Sequence, residues 1–301
     1  MDVLSDILRT MHLRGSIYFG SCFCAPWGLD IEQGEKASFH IIERGQCWLR
    51  MDHLAEPVPL VGGDILILPH GSRHQISDQP DSFCQPGTPI VERIIANENP
   101  FEGQHENFKI ICGYFKFKQD TQQPFFNALP DIIHLNQNDR QQFSWLDTAL
   151  KLVVAEATSN KPGKSILMDR VTEVLFIQVI RAYIQLHHDD ENFLAALNDK
   201  HISKALAVMH NQPDQPWTIE TLANESGMSR SMFANRFHHL VGTTPMKYLL
   251  SCRMQLAKSQ IEHGQASLYE IAEQVGYSSD SSFKKAFKRF FDRTPASYRK
   301  K

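Results

Sequence analysis

No stretch of this chain approaches the roughly twenty consecutive apolar residues that a membrane helix requires. Nor does it open on the basic-then-apolar leader of an exported protein. Both absences point to the cytoplasm and away from a membrane partner. A disulfide framework is missing too. The six cysteines, at 22, 24, 47, 84, 112 and 252, are irregularly spaced, and in a reducing compartment they are expected to be thiols unless something oxidises or ligates them. Net charge is also scarce, only −3 over 301 residues, but that balance hides an internal polarity. From Asn198 to Lys301 there are 15 Lys and Arg against 9 Asp and Glu, so this tail is +6 and everything before it −9. A basic end on an acidic body is the polarity expected when one part faces phosphate and the other does not.

What the tail does have is one pattern written twice, about fifty residues apart. Ile219, Leu222, Ala223, Gly227, Phe233, Phe237, Thr244, Pro245 and Tyr248 recur as Leu268, Ile271, Ala272, Gly276, Phe283, Phe287, Thr294, Pro295 and Tyr298. In each copy an Ala four residues before a Gly allows a short helix to pack closely and the chain to turn through a conformation that Gly adopts cheaply. Ser229 and Ser279 then stand where they can cap a second helix, whose buried face carries the Phe pairs at four-residue spacing. The Thr-Pro pairs are expected to stop that helix. Between the copies, Leu249, Leu250, Met254, Leu256, Ala257 and Ile261 form an apolar stripe suited to a rigid linker helix. A helical bundle duplicated for packing alone is the alternative.

Gly276-Tyr277-Ser278, then Ser281 through Arg289, then Thr294-Pro295-Ala296-Ser297-Tyr298-Arg299 resemble the signature of AraC-type transcriptional regulators over roughly the last hundred residues. The resemblance implies a seven-helix unit that places two recognition helices in successive major grooves of double-stranded promoter DNA. It also implies a non-enzymatic regulator that works with RNA polymerase, as an activator. Helix geometry selects Arg230, Ser231, Asn235 and Arg236 on the first recognition helix, and Asp280, Ser281, Lys284 and Lys285 on the second, as DNA-facing residues. Arg230 and Lys284 suit guanine and Asn235 suits adenine. Lys288 and Arg289, with Lys247, Arg299 and Lys300, suit backbone phosphate.

The front half has a different texture. Short apolar runs rich in Ile, Val and Phe, among them Ser38–Ile42, Cys47–Met51, Asp64–Leu68, Ile90–Ile95 and Phe108–Phe117, are broken by Gly, Pro, Asp and Asn and are expected to be strands of a barrel or sandwich. The run Gly63 to His74 resembles the second cupin motif, with His40 and Gly45 standing for part of the first; the histidine pair and glutamate of enzymatic cupins are missing from the first motif. The fold class expected is therefore α+β: an N-terminal all-β cupin barrel (1–125), linker and dimerisation helices (126–197), and a C-terminal all-α tandem helix-turn-helix domain (198–301). Residues 139–158 and 163–187 carry the helical pattern of that middle region. The second stretch is apolar nearly all round, which fits either burial in its own chain or a homodimer contact. The polar run 187–191 is expected to be a linker.

If the cupin register holds, His40 and His74 lie on facing strands, and Cys112 faces the same interior. With Cys22 on the segment leading in, these make an N/S set for Zn or Cu, or a thiol pair, Cys22 and Cys112, that an oxidant could bridge. The front half further resembles the reactive-chlorine-responsive branch of the family, in residues 1–8, Cys22, the surroundings of His40 and His74, and Cys112-Gly113. An organic effector, or none, remains open beside an oxidant or a metal, and no cofactor is required for DNA binding. A cupin-type metalloenzyme tethered to DNA is the competing function.

Overall fold

The computed structural model describes residues 3–11, 13–103, 107–117, 124–157, 159, 161–187, 192–264 and 266–299. Residues 188–191 of the expected linker and Lys300 lie outside them. The chain divides into two compact units. Leu13–Gln119 and Leu129–Leu186 form a β unit; Met1–His12, Asp120–Ala128 and His187–Lys301 form a helical one. This division cuts across the sequence boundaries, because helix α1 (Val3–Thr10) packs on the tail helices while the central helices pack on the sheet.

Within the β unit the strands run β1 (Arg14–Phe23), β2 (Gly28–Ile31), β3 (Ala37–Arg44), β4 (Gln46–Arg50), β5 (Val58–Val61), β6 (Ile65–Leu68), β7 (His74–Ser77) and β8 (Gln85–Pro86). Helix α2 (Gly87–Ile95) follows, then β9 (Phe108–Lys116). Residues Ile90–Ile95 are therefore helical, not the strand expected. The run is one turn of an amphipathic pattern, with Ile90 and Ile94 buried four apart and Ile95 exposed. Helix α3 (Pro124–Asn127) belongs to the helical unit, and β10 (Ile133–Leu135), α4 (Gln137–Gln142), α5 (Ser144–Ala157) and α6 (Lys164–Leu186) complete the β unit. The helix expected over 139–158 is broken at Phe143, whose φ of −125° and ψ of 82° are not helical.

Two five-stranded sheets, ordered β1-β9-β3-β6-β10 and β5-β4-β7-β2-β8, enclose a core that includes Phe23, Ile42, Leu49, Leu66, Ile76 and Ile110. All pairings are antiparallel except β2 with β8. Strand β3 is buried on both faces. Its Phe39 stacks on Phe115 of β9 at 4.8 Å, and Phe115 meets Phe176 of α6 at the same distance, so α6 covers the outer face of the first sheet. That accounts for most of the apolar surface of α6. Ile166, Leu167 and Val174 remain 66, 41 and 46 % exposed.

The helical unit continues with α7 (Phe193–Asn198), α8 (Ile202–Asn211), α9 (Ile219–Glu225), α10 (Arg230–Val241), α11 (Pro245–His263), α12 (Leu268–Gln274) and α13 (Asp280–Phe291), and ends in a 3-10 turn, Pro295–Tyr298. Each head turns at the expected glycine, Gly227 at φ 64° and Gly276 at φ 77°. Ser229 and Ser279 cap α10 and α13, accepting from the Met232 and Ser282 amides. The Thr-Pro pairs do not stop the recognition helices. Helix α10 ends on Gly242, left-handed at φ 73°, and Pro245 instead occupies the first turn of α11, where a missing N–H costs nothing. Helix α11 then serves both heads. Its Tyr248 meets Phe237 at 5.8 Å, and Met254, Ala257 and Ile261 join Ile271, Val275, Phe283 and Phe287 in one cluster.

Candidate functional site

Register brings three of the residues singled out in the β unit together. His40 on β3 pairs across the sheet with Cys112 on β9, and His74 reaches them from β7 in the facing sheet. All three are buried. Cys112 Sγ lies 3.1 Å from His40 Nδ1, and His40 Nε2 lies 2.9 Å from His74 Nε2. The third contact orders the chain: His74 Nδ1 is 2.8 Å from the Ser72 carbonyl, which only accepts, so Nδ1 carries the proton. Neutral His74 then accepts at Nε2 from His40, and neutral His40 accepts at Nδ1 from the Cys112 thiol. Burial keeps both rings neutral, holding His40 well below the ordinary imidazole range and bringing His74 down to about 4. The same burial, with Cys47 nearby, raises the Cys112 thiol far above its ordinary range. The result is a directed relay, Cys112 to His40 to His74 to Ser72.

Cys22 does not join it. Opposite Lys109 on β9, it falls between core-facing Phe19 and Phe23 in the alternation, and with Phe23 inward the adjacent Cys22 projects from the other face of the sheet. It is half-buried, and all six cysteines are thiols. A Zn or Cu site also does not fit. His40 spends one ring nitrogen on each of its two neighbours, so no single point is faced by a donor from all three residues, as a metal bound at about 2.0–2.3 Å demands. Among the described residues no group of three or more His, Cys, Asp or Glu is arranged to hold a metal ion.

On the reading heads, Arg230, Ser231 and Asn235 are exposed along α10, and Ser281, Lys284, Lys285, Lys288 and Arg289 along α13, opposite the buried Phe pairs. Asp280 is half-buried at the start of α13 and pairs with Lys284 at 2.5 Å. Arg236 is exposed, but its guanidinium is engaged. It donates to Asp199, whose other carboxylate oxygen accepts from the His201 and Ile202 amides at the start of α8. Sequence reasoning did not single out that anchor, because Asp199 and Arg236 are 37 residues apart. Arg299, assigned to phosphate, donates to the Ala266 carbonyl. Two buried polar features also went unremarked. Lys258 lies with its ammonium 5.0 Å from the Tyr298 ring, and His210 bonds the Tyr248 hydroxyl at 2.9 Å. The repeated Tyr was the available signal, but its partners come from elsewhere in the chain.

Comparison with known proteins agrees with this two-part layout. A family model described as Cupin matches residues 2–185, and one described as Helix-turn-helix domain matches 222–301. The HTH-type transcriptional regulator AlkR of Acinetobacter baylyi is 31 % identical over 99 % of both chains. A putative AraC-like transcription regulator of Streptomyces lividans is 29 % identical, covering all of this chain and 98 % of its own. The RCS-specific HTH-type transcriptional activator RclR of Escherichia coli is also 29 % identical, over 100 % of this chain and 98 % of its own.

Proposed function

The chain belongs to the AraC-like transcriptional regulators, DNA-binding proteins with a cupin unit ahead of paired helix-turn-helix heads, and from that premise we propose that it is an oxidant-responsive activator of promoter transcription. The observation that carries the DNA half is the pair of capped, outward-facing helices α10 and α13 held on one spine, α11. The sensing half rests on thiol chemistry. Cys22 is half-buried and open to a small oxidant, whereas the buried Cys112 is the first donor of the relay. Hypochlorous acid takes two electrons from the Cys22 sulfur, leaves its oxygen there as a sulfenic acid, and departs as chloride with the thiol proton released. A relative of 29 % identity is named for a response to RCS.

In this reading the protein acts in the cytoplasm as a homodimer and contacts RNA polymerase. The exposed Ile166, Leu167 and Val174 on α6, beside Leu152 on α5, offer an apolar face for a second copy. Catalysis draws no support from the β unit, since His40 leaves no open metal position. The test has two arms. Selection from random DNA should recover one operator, and a reporter behind it should respond to hypochlorite in the native protein and fail to respond after Cys22→Ser or Cys112→Ser. No preferred DNA sequence sinks the regulator; a normal response in both variants sinks the thiol sensor.

A further inference from the structure

A cavity of about 220 Å³ lies inside the helical unit, between α1, α3, α7, α8 and α11, and every residue lining it belongs to that unit. Most of its wall is apolar, including Ile7, Phe125, Phe193, Met209 and Leu256. One end is not. There Tyr248, Cys252 and His210 converge: the Tyr248 hydroxyl lies 2.9 Å and the Cys252 thiol 3.6 Å from the same nitrogen, His210 Nε2. Tyr248 and Cys252 are also bonded to one another, so the three side chains form one polar cluster at that end. The charged groups at the rim are matched to each other, Arg9 to Asp6 at 3.1 Å.

We propose that this cavity is a second effector site, outside the β unit, for a small neutral aromatic molecule carrying one hydroxyl or carbonyl. Size sets the ring. An apolar cavity of roughly 150 Å³ already takes benzene, so this one has room for a bicyclic guest of about ten ring atoms. The polar end sets the head group, whose oxygen meets the Tyr248 hydroxyl of that cluster. Burial holds His210 neutral, lowered to about 4, so the polar end offers no cation to an anionic guest. Position sets the consequence. The cavity wall on α11, with Ser251, Cys252 and Leu256, is part of the helix whose other faces hold both reading heads. A guest bridging α1, α8 and α11 favours the form in which α1 is docked on that spine, and so biases how the heads are presented. The site owes nothing to the oxidant chemistry of the β unit, and either reading can fail alone.

The full-length protein, labelled with ¹³C at the methyls of its nine methionines, can be titrated with 2-naphthol, with benzoate as the anionic counterpart. Met209 lines the cavity and should shift with 2-naphthol and stay still with benzoate; Met51, in the β unit, should not move with either. Tyr248→Phe should weaken binding about tenfold, the loss of one buried hydrogen bond. Ser251→Phe, which fills the space from a half-buried position, should abolish the shift while preserving the fold. Saturating 2-naphthol should change the operator Kd about fivefold or more. A Met209 signal unmoved at millimolar 2-naphthol, binding that survives Ser251→Phe, or occupancy with an unchanged operator Kd would each overturn the proposal.

Discussion

The two reading heads share a skeleton but are charged differently. Helix α13 carries Lys284, Lys285, Lys288 and Arg289 on its outer side, whereas α10 carries Arg230 and Arg236, and Asp199 holds Arg236. Their equivalent tyrosines differ in the same way. Tyr298 lies under the Lys258 ammonium, while Tyr248 is bonded to a neutral His210. The core is duplicated and the charge around it is not, from which we propose a division of work in which the second head, with Lys285, Lys288 and Arg289, suits phosphate and the first, with Arg230, Ser231 and Asn235, suits bases.

The strongest test of that comparison removes the shared core. Phe287 packs against Phe283, Phe291 and Tyr298, and Phe287→Ala should cost about 3–5 kcal/mol, melting α13 while α10 stays protected from hydrogen exchange. Loss of protection in both helices would show that α11 couples them into one cooperative block. Acid should do the reverse. Burial lowers His210 from an ordinary 6.5 to about 4, against a weaker upward pull from Asp6. The unfolded chain therefore binds the proton more readily, and the linked stability, at most about 3 kcal/mol, is complete above pH 6.5 and lost as pH falls toward 4. Intrinsic-rate-corrected exchange between pH 7 and pH 5 should loosen α10 before α13, and His210→Gln should remove the difference.

Base reading comes next in size. Asn235→Ala should relax preference at one base step by about 1–3 kcal/mol in a competition footprint, leaving the salt dependence intact. Lys288→Ala with Arg289→Ala should do the opposite, weakening all sequences alike and reducing the salt slope by about 2. Smallest of all, Arg236→Ala should cost about 1 kcal/mol or less of stability, with no change in salt slope. A slope that falls with Arg236 as it does with Lys288 would return that residue to the phosphate-binding set.

Legibility followed the range of the interaction. Gly227 and Gly276, and the caps Ser229 and Ser279, were readable because backbone sterics and N-terminal amides act within a few residues. The Thr-Pro pairs were placed correctly but given the wrong task, since the left-handed Gly242 ends α10 before Pro245 is reached. Ile90–Ile95 was taken for a strand because four apolar positions in six residues fit either period until a partner surface selects one.

The candidate β-unit site divides along the same line. That His40, His74 and Cys112 share an interior was legible from the cupin resemblance, and the register bears it out. That they form a relay and not a metal cage was not legible, because it depends on which way one imidazole turns. Cys22 was grouped with them as part of the segment that leads into the barrel, but strand alternation sends it to the opposite face.

By itself, then, the sequence determined the repeated heads, their turns and caps, the basic tail and the strand-rich front, all of which rest on local sterics, periodicity and charge that neighbouring residues already contain. The tertiary structure alone decided that α1 joins the tail helices, that α6 covers a sheet, that Asp199 takes Arg236, and that His210 meets Tyr248 over a cavity. Those are pairings between distant segments, and their energies exist only once the chain has closed the loops that bring them together.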